Sequence, residues 1–161
     1  MLKRNKPYTL FIYIVGTVAI LSSLFSCHEN VVFSHYHGVE VDGWDKTTHV
    51  EFNISPIPET GKYQESVGIR INSHYPFLSL NLIIEQTVYP SRTVLIDTID
   101  CQLIDKDGRK LGKGQSLWQL DFPVKNINLQ EGDSVNINIR HNMRRDILRG
   151  VSDIGFKLER K

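Results

Sequence analysis

The sequence predicts an all-β protein: a single antiparallel β-sandwich of about seven or eight strands, immunoglobulin-like or jelly-roll-like. After residue 48, apolar side chains recur at every second position in seven separate segments, which is the period of a strand with one buried face. Apart from a short stretch at 144–149, no segment has the sustained 3.6-residue period of an amphipathic helix. Alternating strands bury their apolar faces either between two sheets or inside one closed sheet, and we expect the two-sheet sandwich.

The seven alternating segments follow one another along the chain. The first places Val50, Phe52 and Ile54 on one face and polar residues on the other, and the later segments repeat this arrangement. The fourth is interpreted as one long strand whose faces change near Asp97. The segments are 49–55, 66–73, 80–84, 93–104, 117–124, 135–139 and 154–158.

The connectors between these segments fit hairpins and loops. Residues 105–108 (Asp-Lys-Asp-Gly) predict a tight hairpin turn, because glycine tolerates the positive φ that such turns require. Residues 56–61, 90–92 and 130–133 are rich in proline, glycine and polar residues and separate further strands. No internal repeat or second domain is visible.

The N-terminus has the pattern of an export signal. Residues 1–6 contain Lys3, Arg4 and Lys6 and no acid, and residues 8–25 form an apolar stretch without any charge. A cationic start followed by an apolar middle and a small residue defines a signal peptide. An uncleaved membrane anchor is the alternative, since eighteen apolar residues can just span a bilayer.

The end of the apolar stretch resembles a bacterial lipobox. Leu24 lies three residues before the predicted cleavage point, Ser26 lies just before it, and Cys27 follows at once. The peptidase needs small groups next to the bond that it cuts, and the Cys27 thiol accepts diacylglycerol. Several acyl chains hold a protein stably at a membrane, whereas one chain holds it only marginally.

The predicted cleavage divides the chain into three parts. Residues 1–26 are the lipoprotein signal peptide that is removed, 27–45 are the lipidated N-terminus and serve as a tether or an edge strand, and 46–161 form the sandwich. The segment 31–36 is too apolar for a free linker, which favours an added edge strand.

The charge balance argues against nucleic acid as a partner. Three of the 19 Lys and Arg residues precede residue 27, so the rest carries 16 basic and 18 acidic residues. This slightly acidic part has no basic stripe of the kind that phosphate binding requires. The 40% hydrophobic and 23% charged residues also exclude a disordered chain.

Cys101 is predicted to be a core residue. It alternates in step with Ile99 and Leu103, and no His or acid lies beside it in a pattern that would activate a thiol. Once Cys27 is lipidated, Cys101 has no disulfide partner. The fold is therefore expected to depend on apolar packing.

Several residue runs behind the lipobox resemble the GldH family of gliding-motility lipoproteins. The resemblance implies a lipid-anchored cell-envelope protein, in the outer membrane, that belongs with gliding motility and an associated protein-secretion machinery. It implies no catalytic residues, and only Cys27 transfers as a functional position. The runs are 32–36 (VFSHY), 43–44 (GW), 75–77 (YPF) with 81–82 (NL), 97–100 (DTID), 107–114 (DGRKLGKG), 143–144 (MR) and 150–159 (GVSDIGFKLE).

No metal or cofactor is predicted. His35 and His37 are two residues apart and share a strand face, but no third ligand is apparent nearby, and zinc needs three or four. The acidic residues between 97 and 107 lack the spacing of a twelve-residue calcium loop. No nucleophile-elbow sequence is present. The chain is therefore not expected to be an enzyme.

Two features are candidate partner contacts. Arg140, Arg144 and Arg145 belong to the strongest basic cluster, which could meet an acidic protein or anionic lipid, or could simply be a solvated strand end. Trp44 follows a glycine in loop-like sequence and is either an exposed docking aromatic or a lid over the sandwich end. Trp118 alternates with core residues and is predicted to be buried.

Two function classes remain open at this point. The first is a non-enzymatic accessory of an envelope machine, which is held at the membrane by lipid and acts through contacts with other envelope, gliding or secretion proteins. The alternative is a surface lipoprotein that binds a glycan or a peptide, with Trp44 or Tyr75 stacking on the ligand. A hydrolase ranks third, because the sequence contains no residue set for it.

Overall fold

The structure is a computed structural model that describes residues 30–161, so the predicted signal peptide and Cys27 lie outside the described residues. Within 30–161 there are ten strands, and no helix is long and apolar enough to cross a membrane. The strands are β1 (Val31–Gly38), β2 (Trp44–Asp45), β3 (Val50–Ile54), β4 (Gly61–Ile71), β5 (Ser79–Tyr89), β6 (Thr93–Gln102), β7 (Trp118–Leu129), β8 (Ser134–His141), β9 (Ile147–Leu148) and β10 (Val151–Arg160).

Two four-stranded antiparallel sheets face each other. Sheet I has the order β1-β10-β4-β7 and sheet II the order β3-β8-β5-β6, and β2 pairs with β9 in a two-stranded ribbon. The predicted all-β sandwich is thereby confirmed. Each of the seven predicted segments contains or overlaps one of the strands β3–β8 and β10, and β1, β2 and β9 are additional. Residues 31–38 form β1 at an edge of sheet I.

The core lies between the inner faces of the two sheets. In β8, Val135, Ile137 and Ile139 are buried while the residues between them face outward. Phe52 of sheet II packs near Phe156 of sheet I, with their ring centroids 6.1 Å apart. Each fully buried side chain of this size contributes about 1.5–3 kcal/mol to stability.

Strand β6 corrects the prediction that the faces change near Asp97. Its register with β5 is continuous from Gln102 to Thr93, so Leu95, Asp97 and Ile99 all point toward the inner side. Asp97 is tolerated there because its carboxylate accepts a 2.5 Å hydrogen bond from Lys125 Nζ. Strand β6 therefore keeps the same face inward along its length, and the charge of Asp97 on that face is compensated by Lys125.

A bulge in β7 supplies that partner. The register between β4 and β7 shifts where Val124 and Lys125 together lie opposite Glu65. A bulge of this kind reverses which residues face inward along the rest of the strand, and it directs Lys125 toward Asp97. Trp118, at the other end of β7, is only half-buried and lies under Lys110 Nζ, 4.3 Å from its ring centroid. The prediction of a buried Trp118 is therefore wrong.

The sandwich has two ends that matter for function. The N-terminal end is where β1 starts and β10 finishes, next to the turn at 130–133 between β7 and β8. The distal end is where β8 finishes and β10 starts, and it contains the β2–β9 ribbon. Strands of about ten residues separate the two ends by roughly 33 Å.

Candidate interaction surface

The described chain is bonded to the sandwich almost directly after the predicted lipidation position. Arg160 N donates a 2.7 Å hydrogen bond to Asn30 O, so sheet I already holds the chain at Asn30. Three residue steps separate Cys27 from Asn30, and they span at most about 11 Å when fully extended. Leu24, Ser26 and Cys27 themselves lie outside the described residues.

Tyr36 fastens β1 to the rest of sheet I. Its ring lies across Gly68 of β4 and Gly155 of β10, where any Cβ would come within 2.6 Å of it. Its hydroxyl donates a 3.1 Å hydrogen bond to Asp121 of β7, and the Arg70 guanidinium lies 4.0 Å from the ring centroid. One side chain therefore connects the edge strand nearest the predicted anchor to all three other strands of sheet I.

Exposed arginines collect at the distal end. Arg144 and Arg145 lie in the loop between β8 and β9, and Arg149 follows β9; all three are exposed. None of them takes part in the ion pairs found among residues 30–161. Arg140 lies apart from them, half-buried on the outer face of sheet II and paired with Ile83. The structure thus groups Arg144 and Arg145 with Arg149, which follows them in the same basic run of the sequence, and separates Arg140 from them.

Trp44 is buried rather than exposed. Only 1% of its surface is accessible, its indole Nε1 donates a 3.0 Å hydrogen bond to Thr48 O, and its ring lies 5.2 Å from that of His141. The β2–β9 pairing places Trp44 opposite Leu148, which is also buried. The interpretation of Trp44 as an exposed docking aromatic is therefore wrong, because the ribbon folds it onto the distal end of the core.

Tyr75, the other aromatic considered for ligand stacking, is also buried. It is 3% exposed, and its hydroxyl donates a 2.8 Å hydrogen bond to Ser79 O. Burial raises the pKa of this phenol far above its usual value. Neither Trp44 nor Tyr75 presents a ring face on which a sugar could stack.

His141, which lies between Arg140 and Arg144 in the sequence, is buried. Met143 N donates to its Nδ1 at 3.4 Å, so the other nitrogen, Nε2, is the donor in the 3.1 Å contact with Trp44 O. Burial lowers the pKa of this imidazole and favours the neutral form. The sequence does contain a sign of this burial, because His141 falls two positions after Ile139 and continues the inward-facing series of β8.

A small cleft lies between the two sheets beside β1 and β3. It has a volume of about 280 Å³, and its lining includes His37, His49, Glu40 and Glu51. His35 and His37 do share one side of β1, with ring centroids 4.8 Å apart. Within residues 30–161, no group of three or more His, Cys, Asp or Glu side chains is arranged to hold a metal ion.

Cys101 lies in the core, as predicted, with 0% of its surface exposed. Burial, together with the nearby Asp100, raises the pKa of its thiol to about 12. Because the thiolate is the reactive form, this side chain is a poor nucleophile at neutral pH.

Glu65 and Gln86 form a buried polar pair between the sheets. Both are 1% exposed, and Gln86 Nε2 donates a 3.2 Å hydrogen bond to Glu65 Oε2. Burial raises the pKa of the Glu65 carboxyl to about 6, although the hydrogen bond from Gln86 and the positive charge of Lys125 both act to lower it. Gln86 Oε1 has no hydrogen-bond partner. The sequence analysis did not single out this pair.

Comparisons with known proteins identify the class of protein to which this chain is similar. It is 30% identical over 145 residues to the gliding motility lipoprotein GldH of Flavobacterium johnsoniae, covering 86% of this chain and 90% of the relative. It is 28% identical over 169 residues to a gliding motility lipoprotein GldH homolog of Christiangramia forsetii, covering 97% and 98%. These relatives are lipoproteins named for gliding motility.

The family model described as GldH lipoprotein matches residues 31–158. The chain therefore belongs to the GldH lipoprotein family, and the matched range runs from β1 into β10. Among solved structures, a family GH115 4-O-methyl-α-glucuronidase superposes on 81% of this chain and 18% of its own, with a TM-score of 0.42 and 11% identity.

Proposed function

We propose that this chain is a lipid-anchored, non-enzymatic accessory of the gliding-motility machinery and its associated secretion apparatus, held at the outer membrane and acting through protein contacts. The observation that carries the proposal is the family match over residues 31–158, whose curated relatives are named gliding motility lipoproteins. The lipobox at Leu24, Ser26 and Cys27 supports the anchor. A buried, unreactive Cys101 and the absence of a metal-binding cluster in residues 30–161 fit a role without catalysis.

The short linker supports an upright orientation at the membrane. With at most about 11 Å between Cys27 and Asn30, a lipid on Cys27 keeps the N-terminal end of the sandwich against the bilayer. The distal end then points away from it, by about 33 Å. Tyr36 fits this arrangement, because it transmits a pull on β1 to the other strands of sheet I.

The distal end is the better candidate for protein contact. Arg144, Arg145 and Arg149 are exposed there beside Ile147, which is 54% exposed. An apolar side chain among unpaired arginines suits an acidic protein surface, since arginine is enriched at interfaces and forms bidentate bonds with carboxylates. Anionic lipid of the anchoring membrane is disfavoured as the partner, because the upright orientation places these arginines far from it.

Replacing Cys27 tests the anchor. We expect Cys27→Ala to leave the sandwich folded, since residue 27 precedes the first strand, but to prevent acylation and correct sorting to the outer membrane. Membrane fractionation with mass spectrometry of the N-terminus measures this. Cys101→Ala is the matched control and should keep normal retention. Unchanged retention of Cys27→Ala with an uncleaved N-terminus would mean that the apolar segment itself is the anchor.

Reversing charge at the distal end tests the accessory role. We expect Arg144→Glu combined with Arg145→Glu to weaken partner contact at least about tenfold through lost and reversed ion pairs. Chemical crosslinking in intact cells measures the contact, and gliding speed measures its consequence where the cells glide. Lys62→Glu, at the N-terminal end, is the charge control. Equal crosslink yields in both variants would contradict a contact at the distal end.

A further inference from the structure

Strand β6 is a long sheet edge with little of the usual protection against strand addition. It runs for ten residues without Lys, Arg, Pro or Gly, its register with β5 is unbroken, and β5 is its only partner strand among residues 30–161. Such an edge presents a row of unpaired backbone N–H and C=O groups that can bind another strand. The length and regularity of β6 therefore make it a template for strand addition.

The other three edge strands are each interrupted or short. Strand β1 has a register shift between Val31 and Phe33, and β7 contains Pro123 next to its bulge. Strand β3 is only five residues long. Bulges, proline, short length and inward-pointing charges all hinder edge pairing. Strand β6 lacks the first three, and its one inward-pointing charge, Asp97, is paired with Lys125.

Two neighbouring positions on the outer face of β6 are apolar and exposed. Val94 is 55% exposed and Ile96 is 64% exposed. At the opposite edge of the sheet, by contrast, Glu51 and Asn53 bond to the amide of Asn136. An added strand would cover Val94 and Ile96 on this outer face. On its inner side it would extend over the half-buried Leu95.

Charge indicates what kind of strand fits. Glu85 lies directly across from Ile96 on β5, and Asp100 lies on the outer face of β6; both are exposed. Neither takes part in the ion pairs found in the described part of the chain. The apolar pair is thus bordered by two free carboxylates. A partner strand with Lys or Arg opposite Asp100 gains a cross-strand ion pair. Glu85 lies one strand further away, about 10 Å from the added strand, and adds only to the negative charge of this surface.

A second copy of this chain fits less well. Antiparallel pairing of β6 with itself needs a two-fold axis normal to the sheet, which would turn the two N-terminal ends in opposite directions. In the upright orientation proposed above, the linkers of about 11 Å could not bring both lipids to one membrane. This step rests on the proposed anchor; the features of the edge itself do not.

We propose that β6 accepts an extended segment of another envelope protein as an added strand, with apolar residues beside Val94 and Ile96 and a Lys or Arg beside Asp100. Backbone hydrogen bonds supply affinity in this mode of recognition, and alternate side chains supply specificity. The surface is separate from the distal arginines, so the domain has two faces for contact.

Site-specific photo-crosslinking in intact cells tests this proposal on the full-length protein. A photoreactive amino acid at Thr98, on the exposed face of β6, should form an adduct with one other protein. The mapped peptide of that protein should alternate apolar and polar residues and contain Lys or Arg. A second copy of this chain in the adduct, or no adduct, would overturn the proposal.

Two lysine substitutions make the test specific. Ile96→Lys should lower the Thr98 adduct about tenfold or more, because it removes the apolar contact and blocks the edge. Leu78→Lys is the matched control: Leu78 is 52% exposed but lies outside the strand edge, so its adduct should be unchanged. Equal yields in both variants would overturn the proposal. Membrane fractionation of the same cells tests the lipid anchor separately. An adduct at Thr98 reports strand addition at β6 whether or not the protein is retained at the membrane.

Discussion

Gly150→Ala is expected to destabilise the domain by about 3 kcal/mol or more. Gly150 has a φ of +87°, which L residues rarely adopt. A Cβ there would lie 2.2 Å from Tyr75 N and 2.5 Å from Tyr75 Cα. These are backbone atoms, so no rotation of a side chain can relieve the overlap.

The surroundings of Gly150 leave little room for adjustment. Asn72 N donates a 2.8 Å hydrogen bond to Gly150 O, which fixes the approach of the 72–75 loop to the start of β10. Tyr75 is buried, and its hydroxyl is bonded to Ser79 O. Moving the loop away would therefore expose an aromatic ring and break two hydrogen bonds.

Gly132→Ala is the matched control for this prediction. Gly132 has the same φ of +87°, but nothing lies within 4 Å of its would-be Cβ. This substitution should cost only the conformational penalty, about 1 kcal/mol. Urea unfolding of both variants measures the difference. Equal losses of stability would show that the loop yields to the added methyl group and that the contact at Gly150 is not rigid.

The period-two pattern predicted much of this fold, because a strand with one buried face leaves its period in the sequence. The pattern failed to predict strands that do not have one buried face. Strand β1, at an edge, buries little on either face, and β2 and β9 have two residues each. Asp97 was misinterpreted because its charge is compensated by Lys125, which a bulge turns inward from a distant strand. No local pattern contains that pairing.

The candidate surfaces were harder to predict than the fold. The basic cluster was visible, but the sequence did not show that Arg140 lies on a sheet face apart from Arg144, because that depends on where β8 ends. The free edge of β6 depends on strand order, which alternation does not encode. Trp44 was ambiguous because only the pairing of β2 with β9 decides its burial.

The alternation did contain one signal about polar chemistry in the core. Glu65 falls in step with the inward residues Tyr63 and Val67, and Gln86 falls in step with Ile84 and Val88. A carboxylate in such a position is costly unless it is paired. What the pattern could not show is that strands β4 and β5, in different sheets, bring these two side chains together.

Glu65→Gln is expected to stabilise the protein at pH 7 by about 1–2 kcal/mol. In the folded state, burial raises the pKa of the Glu65 carboxyl to about 6 from its usual value of 4.5. The folded state therefore holds the proton more tightly than the unfolded chain does. The stability that this group contributes is fully present below pH 4.5 and is lost as the pH rises through 6. At neutral pH the ionised carboxylate therefore destabilises the folded state.

Glutamine also satisfies the neighbouring amide. Gln86 Oε1 has no donor in the present arrangement, whereas a glutamine at position 65 can accept from Gln86 Nε2 and donate to Gln86 Oε1 at once. Asp97 and Lys125 keep their own hydrogen bond in the variant. Reciprocal pairing of two neutral amides removes both the buried charge and the unpaired oxygen.

Urea unfolding from pH 4.5 to 8 measures this effect as a difference between the two proteins. The difference should be smallest near pH 4.5, rise through pH 6 and level off above it. His141, whose lowered pKa makes its contribution fall as the pH drops below 6.5, is present in both chains and cancels in the difference. Glu85→Gln, an exposed change on β5, should show no such rise. A variant less stable than the parent at pH 7 would mean that attraction to Lys125 outweighs the cost of burying the Glu65 charge.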